Sequence, residues 1–233
     1  PLQEMENHSI EVIPENILER SGHILYLPMH WQEEVYGYLM LECGDQELDY
    51  ERMKDFMMAM AQILGTVKNQ SKLYEMYIRD ALTGLYNRRG FYGEFAHRMK
   101  ALEGQDRQIF MASVDLDHLK MINDTYGHSE GDVAIRAIAD ALSEAAGEKG
   151  ICARFGGDEY VALCLWSAEE VPEDFVKIFE KRLHSWIDQW NATEQKAYER
   201  EASTGIIMES IQNVNEIDEL MKKADDNMYD CKV

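Results

Sequence analysis

Residues whose types suit chemistry cluster in a few stretches of this 233-residue chain. In RFGGDEYVALCLW, residues 154–166, two adjacent carboxylates, Asp158 and Glu159, follow two glycines between apolar runs. Glycine permits a tight turn and close ligand approach, and the β-branched and aromatic flanks read as strands, so the spacing predicts a hairpin with its acids at the tip. Taken alone, GGDE reads as readily as a solvated acidic turn. A second stretch, IFMASVD at residues 109–115, is a buried-strand run ending on Asp115, and DLDHLKMINDTYGHSEGD follows it. Carboxyl ends of strands are where open sheets place ligands and metals, and Asp115 and Asp117 share a side if the strand continues. A short helix beginning near His118 and Leu119 offers unpaired N–H groups to phosphate.

These groups need a scaffold, and the chain supplies one in order. Residues 23–42 give two β-rich runs separated by QEE, read as a hairpin with Pro28 at an edge or beside a bulge. From Tyr50 to Asp80, apolar residues at Met53, Met57, Met60, Leu64, Val67, Tyr74 and Ile78, with Ser71 in the gap, alternate in steps of 4 and 3. That average of 3.5 is the period of a coiled coil, and a parallel dimer seam is the direct reading. Gly84 then interrupts the helical pattern, and Asn87, Arg88 and Arg89 precede a new helix running to about Leu102. In so acidic a chain a paired Arg is expected to latch onto carboxylates. Ser129–Asp132 reads as the start of a helix with Ile135, Ile138, Ala139 and Leu142 on one face, and another helix is expected from about Pro172 to Trp190. The strand EASTGIIM and a helix from about Val214, carrying Lys222 and Lys223, close the chain. The order predicts an α+β fold, a ferredoxin-like βαββαβ arrangement with one sheet face covered by helices.

Composition excludes several classes. Lys and Arg number 23 against 44 Asp and Glu, a net charge of −21, and no basic stripe is present to displace counterions from a nucleic-acid backbone. Nucleic-acid partners and a template-dependent polymerase are therefore excluded, whereas a small polyanion that brings divalent cations is not. No apolar run approaches the roughly 18 residues of a membrane span. The four cysteines are widely spaced without a CxxC pair, and no secretory signal is visible, so a cytoplasmic protein with reduced thiols is expected.

Five stretches in order, DALTGLYNRRGF, DLDHLKMINDTYGHSEGD, RFGGDEY, STGI and LMKKADDNMYDCK, resemble the successive motifs of the GGDEF family, the diguanylate cyclases, over about residues 80–232. The hairpin and helix before them weakly resemble the end of a GAF-type sensor domain. The domain expectation is thus a partial sensor at 1–49, a coiled-coil signalling helix at 50–79 and a catalytic domain at 80–233. The resemblance implies a palm fold similar to nucleotide cyclases and condensation of two GTP into cyclic di-GMP, one GTP per subunit of a homodimer formed through the helix and by apposed catalytic domains.

The same resemblance implies Mg²⁺ or Mn²⁺, two per GTP site, held by Asp115, the Leu116 carbonyl, Asp158 and Glu159. Carboxylates are hard donors that suit such cations. Adjacent strand residues face opposite ways, so Asp158 and Glu159 share a site only if the glycine turn relaxes the geometry; Glu159 is a second ligand or a base for the 3′-hydroxyl. Gly156 and Gly157 let backbone lie against the nucleotide, and Lys120 and Lys222 meet the triphosphate. Asn123 and Asp132 read guanine, whose N1–H and N2–H₂ donors match a carboxylate where adenine has no equivalent. Three departures stand out: Tyr160 replaces the family Phe, Asp226 stands where many members carry Arg, and GEKG at Gly147–Gly150 lacks the Arg and Asp of the family's inhibitory product site. Asp226 motivates an alternative, a catalytically silent module that binds GTP or relays a signal.

Overall fold

The computed structural model describes residues 23–31, 34–43, 50–194 and 196–231. The chain divides between Leu73 and Tyr74 into two compact units. In the first, β1 (His23–Trp31) and β2 (Glu34–Cys43) pair antiparallel, and the register shifts between Met29 and His30, beside Pro28. Helix α1 (Tyr50–Ile78) begins in this unit and ends in the other. Met57, Ala61 and Ile78 are buried within the chain, while Phe56, Ile63, Val67, Tyr74 and Tyr77 are each more than half exposed. Phe56, Ile63 and Tyr77 stand one residue before Met57, Leu64 and Ile78 of the expected seam, whereas Val67 and Tyr74 belong to it. Leu64, Val67 and Tyr74 of that expected seam are exposed, but Met57 and Ile78 are used internally. No helix among the described residues is long and apolar enough to cross a membrane.

The second unit is a four-stranded sheet with helices on both faces. Its elements are α2 (Arg88–Ala101), β3 (Arg107–Leu116), α3 (Leu119–Tyr126), α4 (His128–Ala146), β4 (Ile151–Gly156), β5 (Glu159–Ser167), α5 (Phe175–Glu194), β6 (Ala202–Ser210) and α6 (Ile217–Cys231). The strand order β4-β5-β3-β6, antiparallel throughout, is the ferredoxin-like arrangement. On one face Phe110, Ala112, Val114, Tyr160, Ala162 and Cys164 meet Ile138 and Leu142 of α4 and Phe179 and Leu183 of α5. The alternate residues Ile109, Met111, Val161 and Leu163 meet Phe91 and Phe95 of α2 and Leu220 and Ala224 of α6. The expectation of one covered face is therefore corrected to two. β3 and β5 read as continuous apolar runs because their pleat is buried on both sides.

The joint between α1 and α2 is built on Asn87. Its side-chain oxygen accepts from Gly90 N–H at the start of α2, and its Nδ2 donates to the Tyr77 carbonyl at 2.8 Å and the Arg79 carbonyl at 3.3 Å. One side chain thus satisfies end groups of two helices that the backbone leaves unpaired. Arg88 and Arg89 do not latch onto carboxylates as expected: their guanidinium groups lie over Phe155 at 5.1 Å and Tyr77 at 3.9 Å. A planar cation finds a partner in an aromatic face as well as in an acid. Asn87→Ala is expected to lower the unfolding free energy by about 1–2 kcal/mol, read as a reduced urea midpoint at constant m value; an unchanged midpoint would mean that other groups cap this joint.

Candidate active site

Strand register assembles the carboxylates. Asp115, next to last in β3, pairs directly with Glu159, first in β5. Residues directly opposed in an antiparallel pair project to the same face with Cβ atoms about 5 Å apart. Asp158 sits one residue back in the turn, where its carbonyl accepts from Leu116 N–H at 3.0 Å. Asp158 and Glu159 are expected to share one site only where the glycine turn relaxes the strand geometry: Glu159 is the first paired residue of β5, opposite Asp115, and Asp158 stands in the turn, where Gly156 (φ 154°) and Gly157 (φ 51°) hold backbone conformations that L side chains rarely adopt. The pairing of β4 with β5 shifts register beside it, between Arg154 and Gly156. Beyond the strand, Asp117 accepts the Ser203 hydroxyl at 2.9 Å on each carboxylate oxygen.

Among the described residues no group of three or more His, Cys, Asp or Glu forms a preassembled metal cage. An opposed carboxylate pair beside backbone carbonyls fits a cation such as Mg²⁺, which binds through one or two carboxylates and takes its remaining ligands from water and substrate phosphates.

A second cluster forms where α3 meets α4. His118 precedes α3 in the left-handed conformation (φ 62°), with Leu119 buried and Lys120 exposed. Asn123, in the next turn, lies against Gly131 so closely that a Cβ there would be 2.0 Å from its Oδ1. Asp132 is the neighbouring residue, half-buried. α4 begins at His128, earlier than expected, so Asp132 belongs to the second turn and is not a helix-start acid. Gly131 was missed by sequence reasoning; a glycine inside an amphipathic helix, between two acids, was the available signal.

Arg154 joins this sheet end to the segment that follows α1. Its Nε and Nη2 donate to the Gly157 carbonyl at 3.0 and 2.8 Å, and its Nη1 reaches the Asp80 carboxylate at 3.2 Å. Asp80 also accepts from Thr83 N–H at 3.0 Å and Oγ1–H at 2.7 Å. Burial alone would push the Asp80 carboxyl up, but the Thr83 and Arg154 hydrogen bonds outweigh it and hold the carboxyl below its ordinary value. Neither residue was assigned a role from sequence, although an Arg directly before the turn in an acidic chain was a usable sign. Tyr160 is fully buried, with its phenol pushed up by burial, and donates to the Ile135 carbonyl of α4 at 2.9 Å. The hydroxyl that distinguishes it from Phe therefore has a partner.

Lys223 is tied to Glu209 at 2.8 Å, and Glu209 pairs with Ile109, six residues down β3 from Asp115, about 20 Å at 3.3 Å per residue. Further along α6, Asp225 accepts from the Ser113 hydroxyl, two residues before Asp115 on the same face of β3, and Asn227 reaches the Ile206 carbonyl at 2.8 Å. Asp226 therefore neighbours a residue that reaches the Asp115 half of the strand, and Lys222 is exposed one turn before it.

Residues 77–233 match the family model described as "Diguanylate cyclase, GGDEF domain". The chain is 34% identical over 125 residues to the Probable diguanylate cyclase DgcJ of Escherichia coli (strain K12), covering 52% of this chain and 25% of that protein. It is 29% identical over 170 residues to the Diguanylate cyclase VdcA of Vibrio cholerae serotype O1, covering 72% and 48%. The chain thus matches a quarter to about half of the length of these relatives. The crystal structure of the coiled coil and GGDEF domain of DgcB from Caulobacter crescentus, in complex with c-di-GMP, shares the fold with a TM-score of 0.61 at 23% identity, over 78% of this chain and 93% of that one.

A carboxyl held low in the folded state stabilises the fold above its unfolded pKa and ceases to do so as pH falls through the folded value. Asp80, whose ordinary value is 3.8, therefore contributes a loss of stability that begins near pH 4 and continues below it. Asp80→Asn removes that contribution: its unfolding midpoint at neutral pH is expected to be lower than wild type, with the gap closing on acidification. A gap independent of pH across this range would remove the charged Asp80–Arg154 contact as its cause.

Proposed function

Because the chain belongs to the family of GGDEF-domain diguanylate cyclases, we propose that it condenses two GTP into cyclic di-GMP and two pyrophosphates. Each subunit of a homodimer presents one GTP, and each 3′-hydroxyl attacks the α-phosphate of the other nucleotide. The observation that carries this reading is the direct opposition of Asp115 and Glu159 at the joined ends of β3 and β5.

Asp115, Asp158 and the Leu116 carbonyl are the groups that would hold the divalent cation, Mg²⁺ or Mn²⁺. When bound it neutralises phosphate charge and eases departure of pyrophosphate. Glu159, opposite Asp115, is either a second ligand or the base that takes the 3′-hydroxyl proton. Gly156 and Gly157 let the turn backbone lie along the nucleotide. The amides of His118 and Leu119, with the ammonium of Lys120, meet the triphosphate at the start of α3. Asp132 accepts from guanine N1–H and N2–H₂ while Asn123, seated against Gly131, donates and accepts beside it. The reaction asks little covalent chemistry of the protein: in-line positioning and charge neutralisation supply most of the acceleration.

Two nucleotides held in two sites require two subunits. The exposed apolar residues of α1, among them Phe56, Ile63, Leu64, Val67, Tyr74 and Tyr77, support a parallel pairing of that helix with its copy. The second reading is a catalytically silent module that binds GTP or relays a signal; Asp226, next to the Asp225 that bonds Ser113, is the observation behind it.

Specific product formation from GTP and Mg²⁺ is expected to rise with protein concentration, and Glu159→Gln to lower it by more than about a hundredfold. GTP binding without product at any concentration would favour the silent module. Val67→Glu is expected to lower the dimer fraction in sedimentation and the specific activity of dilute protein together; a monomeric variant with full activity would refute pairing through α1.

A further inference from the structure

Arg200 is among the largest fully buried side chains, with 1% of its surface exposed. No hydrogen-bond acceptor among the described residues meets its Nε, Nη1 or Nη2. Its guanidinium instead lies against two aromatic rings, 4.8 Å from the Trp190 centroid and 5.6 Å from that of Tyr198. Its charge acts on the Glu130 carboxylate and the Tyr198 phenol, but leaving three buried donor nitrogens without acceptors costs more than two aromatic faces return, so stability alone would favour an apolar side chain here.

What this cation holds is a strap, residues 196–200, fastened across the corner between α3 and α4. The Tyr126 hydroxyl, at the end of α3, donates to the Ala197 carbonyl at 3.0 Å, and its ring lies 5.1 Å from that of Tyr198. The Tyr198 hydroxyl donates to the Glu130 carboxylate at 3.0 Å, and Lys196 pairs with the same carboxylate at 2.9 Å. Lys196 and Tyr198 together hold the Glu130 carboxyl below its ordinary value. Both fastening points flank the guanine-reading pair: Tyr126 follows Asn123 by one turn, and Glu130 precedes Asp132 by two residues. The other end of the strap is fixed as well. Asn191 bonds the Arg200 backbone in both directions, at 2.9 and 3.0 Å, and the Glu201 carbonyl accepts from Asp117 N–H at 2.9 Å beside the carboxylate end of β3.

We propose that Arg200 is a positioning residue for guanine recognition: stacked between Trp190 and Tyr198, it locks the strap over the α3–α4 corner and so fixes Asn123 and Asp132 relative to the Asp115 end of the sheet. It acts through Tyr198 and Glu130 and does not touch substrate. The inference rests on the cyclase reading, because it assigns guanine to Asn123 and Asp132.

The test compares wild type, Arg200→Met and Arg200→Lys, using equilibrium binding of 3′-deoxy-GTP and 3′-deoxy-ATP with Mg²⁺, thermal unfolding, and steady-state turnover of GTP. The deoxy nucleotides bind but lack the attacking hydroxyl, so binding is read without turnover. Arg200→Met is expected to weaken 3′-deoxy-GTP binding about tenfold and to raise KM similarly while kcat stays within about threefold, since a displacement of an ångström at a positioned group has effects of this order or larger. Binding of 3′-deoxy-ATP should change little, so the preference for guanine narrows, and the melting temperature should hold or rise as three buried donor nitrogens without acceptors are removed. Arg200→Lys, which keeps the cation over the rings, should recover part of the affinity. Wild-type affinity and guanine preference in Arg200→Met overturn the inference, as does a loss confined to kcat or to melting temperature. A wild-type protein that fails to bind 3′-deoxy-GTP overturns the cyclase reading and this inference with it, whereas wild-type binding that is unchanged in both variants overturns this inference alone.

Discussion

Arg154 has two acceptors to satisfy, the Gly157 carbonyl and the Asp80 carboxylate, on segments that the backbone bonds of Tyr86 with Cys152 and Arg154 also join. The Gly157 carbonyl points into a turn whose glycines adopt conformations that cost little to enter and little to leave. Two N–H groups from one planar fork remove that freedom. The third donor commits the same guanidinium to Asp80, at the segment after α1, where Thr83 completes the carboxylate's coordination. Because the fork is rigid, a shift of Asp80 and a shift of the turn are geometrically coupled. Tyr160, the residue opposite Arg154 in the β4–β5 pair, pins the adjoining strand through the Ile135 carbonyl. The acids therefore stand beside a turn held by both strands of the hairpin, and not on a free loop.

The placement of Glu159 shows how register converts an unremarkable acidic turn into a site. A slip of one residue between β3 and β5 would exchange every buried side chain of one strand for its neighbour on the other face. The apolar residues that face α4 and α5, and those that face α2 and α6, are both large, so slippage is opposed from two directions. That double burial is what the two helical layers contribute to function. With register fixed, opposition of Asp115 and Glu159 follows without any contact between the two carboxylates to favour it, and their mutual repulsion is borne by the core.

Legibility in the sequence followed the range of the interaction. The hairpin tip at residues 157–158, the strand ending at Asp115 and the helix before Asn123 depend on local pattern and stood out at once. Heptad spacing in α1 was visible too, but its facing was not. Met57 and Ile78 are spent inside the chain while Phe56, Ile63 and Tyr77 are left out beside Leu64, Val67 and Tyr74 of the expected seam, a distinction that periodicity cannot resolve. Arg88 and Arg89 were read by charge alone, yet Phe155 and Tyr77 captured them. The opposition of Glu159 to Asp115 depends on a pairing between strands more than forty residues apart, which no local pattern carries.

The charge balance gives the two-subunit requirement a physical consequence. A chain of net charge −21 repels both a nucleotide triphosphate and its own copy. Toward the nucleotide the remedy in the proposed mechanism is local: cations at the Asp115, Asp158 and Glu159 carboxylates, with Lys120, would invert the sign over a few ångströms. Toward the second subunit no such inversion is available across a whole surface, although screening beyond a Debye length of about 8 Å leaves only close approach disfavoured. Collision of two separate acidic units would be slow and brief. In the proposed dimer, pairing of a 29-residue helix, about 43 Å long, would make the encounter intramolecular and raise the effective concentration of the second site without any attraction between the acidic surfaces. Apolar residues along α1 would suit that task because their association is insensitive to the charge that keeps two such chains apart.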